Sequence, residues 1–323
     1  MQMTRNKIFS GIGIILLINY VIAVWWSIEP DPLEPEVLQD DRGELVVGYA
    51  TTSALISTIE TLLDKPGGWL SNDIMPPSVI MDNMPAFEFG ALEQTRDLAL
   101  IMRKEFSRSQ SQSTADNDLL AAHSKLNIEH TSWLVPSAES EYREATKLLK
   151  LYRAKISDTD NSNAQFYARA DNLNEWLKEI QKRLGSMSQR LSASVGQERL
   201  NTDLAGDSTA RQSTPSLASL EIKTSWWKID DVLYESRGSA WALLNFMKAI
   251  EVDFADVLEK KNAEVSLRQI IRELEATQQT VWSPMVLNGD GFGLVANHSL
   301  VMANYISRAN AAVIDLTNLL SQG

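Results

Sequence analysis

The chain has little catalytic material. Across 323 residues there are three histidines, no cysteine, and 42 carboxylates against 30 basic side chains. Without cysteine there is no thiolate nucleophile, no thiolate metal ligand and no disulfide. His123 and His130 fall on one face of a helix expected over residues 116–133. Seven helical residues separate them by about 10.5 Å along the axis, too far to share a metal directly. Both read as core or boundary residues. Asp253, Asp256 and Glu259 recur every three residues on one helix face. Helix carboxylates bind metals in di-metal bundles, where Glu-x-x-His completes the ligand set. That motif is absent here, and the three acids read as a solvated face. Neither Gly-x-Ser-x-Gly nor His-Glu-x-x-His occurs. No catalytic, cofactor-binding or metal-ligating residue is therefore assigned.

Two loops hold the remaining candidates. Residues 67–85 are a long non-periodic stretch with Trp69, Asn72, Asp73 and Asp82. Loops of that length are uncommon inside compact domains and often functional, although a crossover pinned by Trp69 and Ile74 is the plainer structure. Residues 282–296 contain Asn288-Gly289-Asp290-Gly291-Phe292-Gly293, with His298 just beyond. The glycines suggest a phosphate loop, but the Walker lysine, the dinucleotide-binding spacing and a preceding strand are missing. A turn between helices is expected. Asn297-His298-Ser299 also has the pattern of a glycosylation acceptor. Trp69, Asn72, Asp73, Asp82, Asn288, Asp290 and His298 form the candidate surface for a small-ligand or enzyme site.

The elements that would position these loops are helical. Val46, Tyr49, Ser53, Ile56, Ile59 and Leu63 predict a helix over 45–64, stopped by Pro66-Gly67-Gly68. Further helices are expected over 86–107, 116–133, 137–156, 163–195, 229–260, 263–281 and 297–320. Leu173, Leu177, Ile180, Leu184, Met187 and Leu191 keep a four-three spacing, which makes a coiled-coil-like seam. With a short turn around Asp160, residues 137–156 and 163–195 are expected to form an antiparallel hairpin that brings Leu148 to Leu173. Residues 201–224 are rich in Ser, Thr, Ala and Asp and read as a flexible linker. Helical regions 45–200 and 225–323 flank it and are expected to pack as one domain. The fold class expected is all-α: a single transmembrane helix followed by an elongated helical bundle.

That transmembrane helix covers residues 8–28, IFSGIGIILLINYVIAVWWSI, which carry no charge. Its rise of roughly 31 Å is about the thickness of a bilayer's hydrocarbon core. The run is longer than a signal peptide's apolar region and ends in Ala23-Val24-Trp25-Trp26, which is no cleavage site. An uncleaved anchor in the lipid bilayer is expected, with Trp25 and Trp26 at the interface. Arg5 and Lys7 precede it, whereas residues 29–44 hold seven acids and only Arg42 as a cation. A positive flank stays inside, so the N-terminus is expected in the cytoplasm and the bulk of the chain in the periplasm. Pro30, Pro32 and Pro35 among the acids predict an extended, self-repelling spacer that holds the domain off the membrane. Residues 29–323 carry 28 bases and 42 acids, a net −14 against −12 for the whole chain, since Arg5 and Lys7 lie before them. Such a charge is repelled by phosphate backbones, which argues against nucleic-acid binding.

Five stretches together resemble a known family: LLDKPGGWLSND at 62–73, FSRSQSQS at 106–113, AQFYARADNL at 164–173, SLRQIIRELEAT at 266–277 and ANHSLVMANY at 296–305. The family is a proteobacterial one catalogued as a domain of unknown function, DUF2333. The resemblance covers nearly the whole chain and implies a bacterial, membrane-associated protein. It supplies no catalytic residues. The expected function is an inner-membrane-anchored periplasmic scaffold or interaction protein that binds a protein partner or a second copy of itself. The alternative is an enzyme or small-ligand binder built from the two loops. A transmembrane sensor is disfavoured by the seven residues before the span.

Overall fold

The computed structural model describes residues 2–109, 114–158, 164–200, 219–283 and 285–322. Its centre is α7 (Ile229–Asp253), buried on nearly all sides from Leu233 through Ile250. A helix apolar around its circumference has to be enclosed. The closest packing is against α3 (Asn83–Ile101), where two glycines let the backbones touch. A Cβ on Gly238 would stand 1.9 Å from the Phe87 carbonyl oxygen, and one on Gly90 would stand 1.9 Å from that of Glu235. Ser239 Oγ donates to the Gly90 carbonyl at 3.0 Å across the same crossing.

Around this pair lie α2 (Tyr49–Asp64), α4 (Asn117–Leu126), α5 (Ala138–Ser157), α6 (Ala170–Ser192), α8 (Ala255–Lys260), α9 (Glu264–Thr277) and α10 (His298–Ser321), and the chain begins with α1 (Gln2–Trp26). A small antiparallel ribbon pairs β1 (Gln197–Leu200) with β2 (Ser219–Ile222). The fold is otherwise all-α. Helices α2 and α9 flank α7, α5 lies on α2 and α4, and α10 lies on α9 and α6. One hydrophobic core runs from Ala50 on α2 to Leu320 on α10, spanning both helical regions. Helix α1 stands apart. None of its apolar window, Phe9–Trp26, is buried, and it is long and apolar enough to cross a membrane.

Several expectations are corrected. The hairpin of α5 with α6 does not form, because each finds a different partner. The chain between them is pinned instead: Tyr152 donates its hydroxyl to the Gln165 carbonyl at 2.9 Å, and the Tyr167 amide donates to the Phe106 carbonyl at 2.6 Å. Phe166 packs between Phe106 and Phe254. Helix α6 therefore starts at Ala170, and its row from Leu173 to Leu191 is buried against α10. The turn around Asp160 and most of the expected linker, 201–218, lie outside the described residues; 219–222 form β2. The helix carrying His123 ends at Leu126, so His130 lies in the following loop.

Asp253 is not part of a solvated face. It is buried at the end of α7 and accepts hydrogen bonds from the Gly48 amide at 2.9 Å, the Thr51 amide at 2.7 Å and Thr51 Oγ at 2.6 Å. It thus satisfies the orphan donors at the start of α2, which has no side-chain cap of its own. The chain breaks at Phe254 and restarts as α8.

Residues 29–38 are extended as expected, whereas 39–45 fold back in a turn closed by a bridge between Gln39 and Leu45; the extended part lies along α7 and does not stand free. Glu29 pairs with Arg237, the Trp241 indole donates to the Asp31 carbonyl at 3.0 Å, and the Leu33 amide donates to Asn245 Oδ1 at 2.8 Å. Glu34 meets Lys248 at 2.9 Å, and Glu36 meets Arg153 at 3.3 Å. The register has a geometric cause. Two extended residues span about 6.6 Å, close to the roughly 6 Å of a four-residue helical step. Residues 29, 31 and 33 therefore meet 237, 241 and 245 in turn, while Pro30 and Pro32 have no amide to leave unpaired. Arg237 and Lys248 offset the self-repulsion that would otherwise push this strap into solvent.

Candidate functional site

The loop after α2 is shaped by Pro66-Gly67-Gly68, whose glycines have φ of 84° and 68°. Trp26, at the end of α1, packs over Gly67: a Cβ there would stand 2.7 Å from the indole. Lys65 and Glu88 form a buried ion pair at 2.7 Å. Glu88 also accepts from the Leu70 amide and the Ser71 amide, each at 2.8 Å, and from Ser71 Oγ at 2.6 Å. Burial pushes the Glu88 carboxyl upward, against the pull of Lys65 and the Leu70 amide. This latch fixes the start of the loop onto α3.

Trp69 and Asn72 serve the same fixation. The Trp69 indole donates to the His130 carbonyl at 2.9 Å, and its ring meets Tyr142 edge-on at 5.2 Å. Asn72 donates to the Ser132 carbonyl at 2.9 Å. These two side chains hold the loop after α4 and are buried. Asp73 and Asp82 remain exposed and line an open depression with Phe89, His130 and Asp231. Burial raises the Asp231 carboxyl, and Asp82 and Asp230 raise it further. His130 pairs with Glu129 at 2.7 Å and lies against Phe89.

The second loop closes on itself. Asn288 bridges to Asn297, the Gly289 amide donates to the Ala296 carbonyl at 3.0 Å, and Asn288 Nδ2 donates to the Ser194 carbonyl at 3.0 Å. Asn297 Oδ1 caps α10 by accepting from the Leu300 amide at 2.8 Å. Asp290 Oδ1 accepts from the Phe292 amide at 3.0 Å, an Asx-type turn. His298 Nδ1 accepts from the Leu287 amide at 3.2 Å, and burial lowers the imidazole's pKa. Beside it lies a cleft of about 330 Å³ lined by Leu233, Trp282, Val301, Met302 and Tyr305.

The seven candidates are thus divided. Trp69, Asn72 and Asn288 hold backbone, Asp290 shapes its own turn, and Asp73 and Asp82 face one depression while His298 faces another. Among the described residues no cluster of three or more His, Asp or Glu could hold a metal. A tetrad not singled out above, Ser225-Trp226-Trp227-Lys228, has the Ser-x-x-Lys spacing of acyl-transfer nucleophiles. Its four side chains are exposed before α7.

The contacts that fix α1 and the strap to the domain are those sequence reasoning missed. Arg237 donates to the Thr277 and Gln279 carbonyls at 2.9 and 2.8 Å in addition to Glu29. The alternation of proline with a bonding residue from 29 to 33 was the available signal.

A family model described as an uncharacterized protein conserved in bacteria (DUF2333) matches residues 2–323. The chain belongs to this family. The matched span takes in α1, the strap and the helical domain together, in agreement with the resemblance carried by the five stretches. No curated protein and no solved structure matches the chain.

Proposed function

We propose that this DUF2333 protein is an envelope scaffold held in the bacterial inner membrane by α1, with its helical domain in the periplasm as an interaction module. The carrying observation is the junction at Trp26, Gly67 and the Glu29–Arg237 pair. A leader that is cut away has no need to pack into the mature fold, whereas the end of α1 does so and the residues after it lie bonded along α7. The exposed apolar length of α1 supports a bilayer as its surroundings. Arg5 and Lys7 before it, and the acids after it, support the cytoplasmic N-terminus. A ligand site shared by the two loops has no such support, because their free polar side chains face separate depressions.

A C-terminal alkaline phosphatase fusion tests the orientation, and an N-terminal tag retained on the membrane-bound protein tests the anchor. Activity of the fusion together with retention of the tag is expected. A processed product released with periplasmic contents would make residues 8–28 a signal peptide. A silent phosphatase with an active cytoplasmic reporter would reverse the topology.

A further inference from the structure

The bundle's two ends differ sharply in composition. The Trp26 junction defines one end. Trp69 and Asn72 tie the loop after α2 to the loop after α4, Arg237 ties the start of α7 to the end of α9, and Asn288 ties the loop before α10 to the end of α6. These loops therefore gather where α1 leaves the domain. The chain has nine tryptophans, of which Trp69, Trp176 and Trp241 are buried and Trp26 is half-buried. The other five are Trp25, Trp133, Trp226, Trp227 and Trp282, all more than half exposed, and all lie at this end.

Other apolar side chains accompany them. Ile74, Met75, Val79 and Ile80 are exposed in the first loop, Leu134 and Val135 beside Trp133 in the second, and Phe292 and Leu294 in the last. The loop stretches other than the one around Trp226 and Trp227, which holds Lys223 and Lys228, are also poor in charge. Residues 74–81 and 131–138 have none, and Asp290 is the only acidic or basic residue between Glu275 and Arg308, with His298 neutral. Among the described residues the opposite end exposes neither tryptophan nor phenylalanine. An exposed apolar collar of this kind marks an interaction surface, and tryptophan favours the headgroup region of bilayers, where its ring has both an apolar and a polar partner.

We propose that this end of the domain is seated on the membrane leaflet from which α1 emerges, with Trp133, Trp226, Trp227, Trp282 and the Phe292–Leu294 tip in the headgroup region. The proposal rests on the reading of α1 as an anchor, which keeps these loops beside the bilayer. At this end the exposed acids Asp73, Asp82, Glu129 and Asp290 outnumber the exposed bases Lys223 and Lys228 that flank Trp226-Trp227, which favours zwitterionic phospholipid over anionic headgroups.

The chain lacks native cysteine, so single labels are clean. Leu294→Cys, Leu134→Cys and Ile80→Cys, with Lys260→Cys at the far end as control, are each carried on the full chain. Each is labelled with a polarity-sensitive fluorophore and reconstituted in phosphatidylcholine vesicles. Labels at 294, 134 and 80 should emit to the blue of the control, be quenched several-fold by lipid brominated near the headgroup, and stay unchanged in high salt. Retention of the chain in alkaline-washed vesicles with all labels in water would overturn this proposal alone. Release of the chain by the alkaline wash would overturn the anchor reading and this proposal with it. Blue-shifted labels that revert to water-like emission when each vesicle holds one chain would show that a second copy covers this end, and would also overturn it.

Discussion

Asp253 and Asp256 share a spacing and have opposite surroundings. Asp253 is buried beneath the start of α2, while Asp256 is exposed three residues later. Removing the first carboxylate strands the Gly48 and Thr51 amides away from water. Asp253→Ala should cost about 2–3 kcal/mol, against less than about 0.5 kcal/mol for Asp256→Ala, in urea unfolding of the two variants. Tyr142 provides a pH-dependent counterpart. Its hydroxyl donates to the Ile128 carbonyl at 3.2 Å, and burial pushes its pKa from 10.0 up to about 12. Its neutral form is favoured by folding, so its contribution is complete below pH 10 and is lost as pH rises from 10.0 to about 12, where the unfolded phenol ionises first. Stability curves of the native chain and Tyr142→Phe should therefore converge across that interval. Parallel curves would mean that Tyr142 is solvated.

At the scale of elements, the α3–α7 crossing depends on two hydrogens where side chains would stand. Gly238→Ala places a methyl group 1.9 Å from the Phe87 carbonyl oxygen, and backbone cannot step aside as a flexible side chain can. Its thermal midpoint should fall by the equivalent of about 3 kcal/mol or more, beyond the usual range for overpacking. Gly11→Ala meets nothing within 4 Å and should leave the midpoint unchanged. The strap admits a similar contrast. Glu29 is only 21% exposed beside Arg237, whereas Glu34 is 82% exposed beside Lys248. Glu29→Ala leaves a buried guanidinium without its anion and should cost about 2–3 kcal/mol, discounted from the full loss of a buried pair because Glu29 retains some solvent. Glu34→Ala should cost less than about 0.5 kcal/mol.

At the scale of the whole molecule, the strap makes the region that follows α1 part of the folded unit. A soluble chain beginning at residue 29 keeps the contacts to α7; one beginning at residue 45 loses the Glu29, Asp31 and Leu33 interactions together. The shorter chain should melt about 5 °C or more below the longer one, and α7 should exchange its amides faster. Equal melting points would return the strap to the status of a free spacer. A docked strap also fixes where the domain stands relative to α1, because the tether has no slack between Trp26 and Glu36.

The amino-acid sequence by itself determined the all-α class, the apolar N-terminal helix, the periodic buried rows and the family. Each follows from local pattern: an uncharged run of residues 8–28, or Leu173, Leu177 and Ile180 falling on one face whatever they meet. Even the burial of the α6 row was readable, though its partner was not. Only the tertiary structure decided that α10 and not α5 covers that row, because an apolar stripe states its need for burial without naming the helix that supplies it. It likewise decided that Trp69 and Asn72 hold a neighbouring loop, that Asp253 caps a helix some 200 residues earlier in the chain, and that an acidic, proline-rich segment lies docked. In each case the deciding partner is distant in sequence, and hydrogen bonding and charge pairing depend on a geometry that spacing along one segment does not contain.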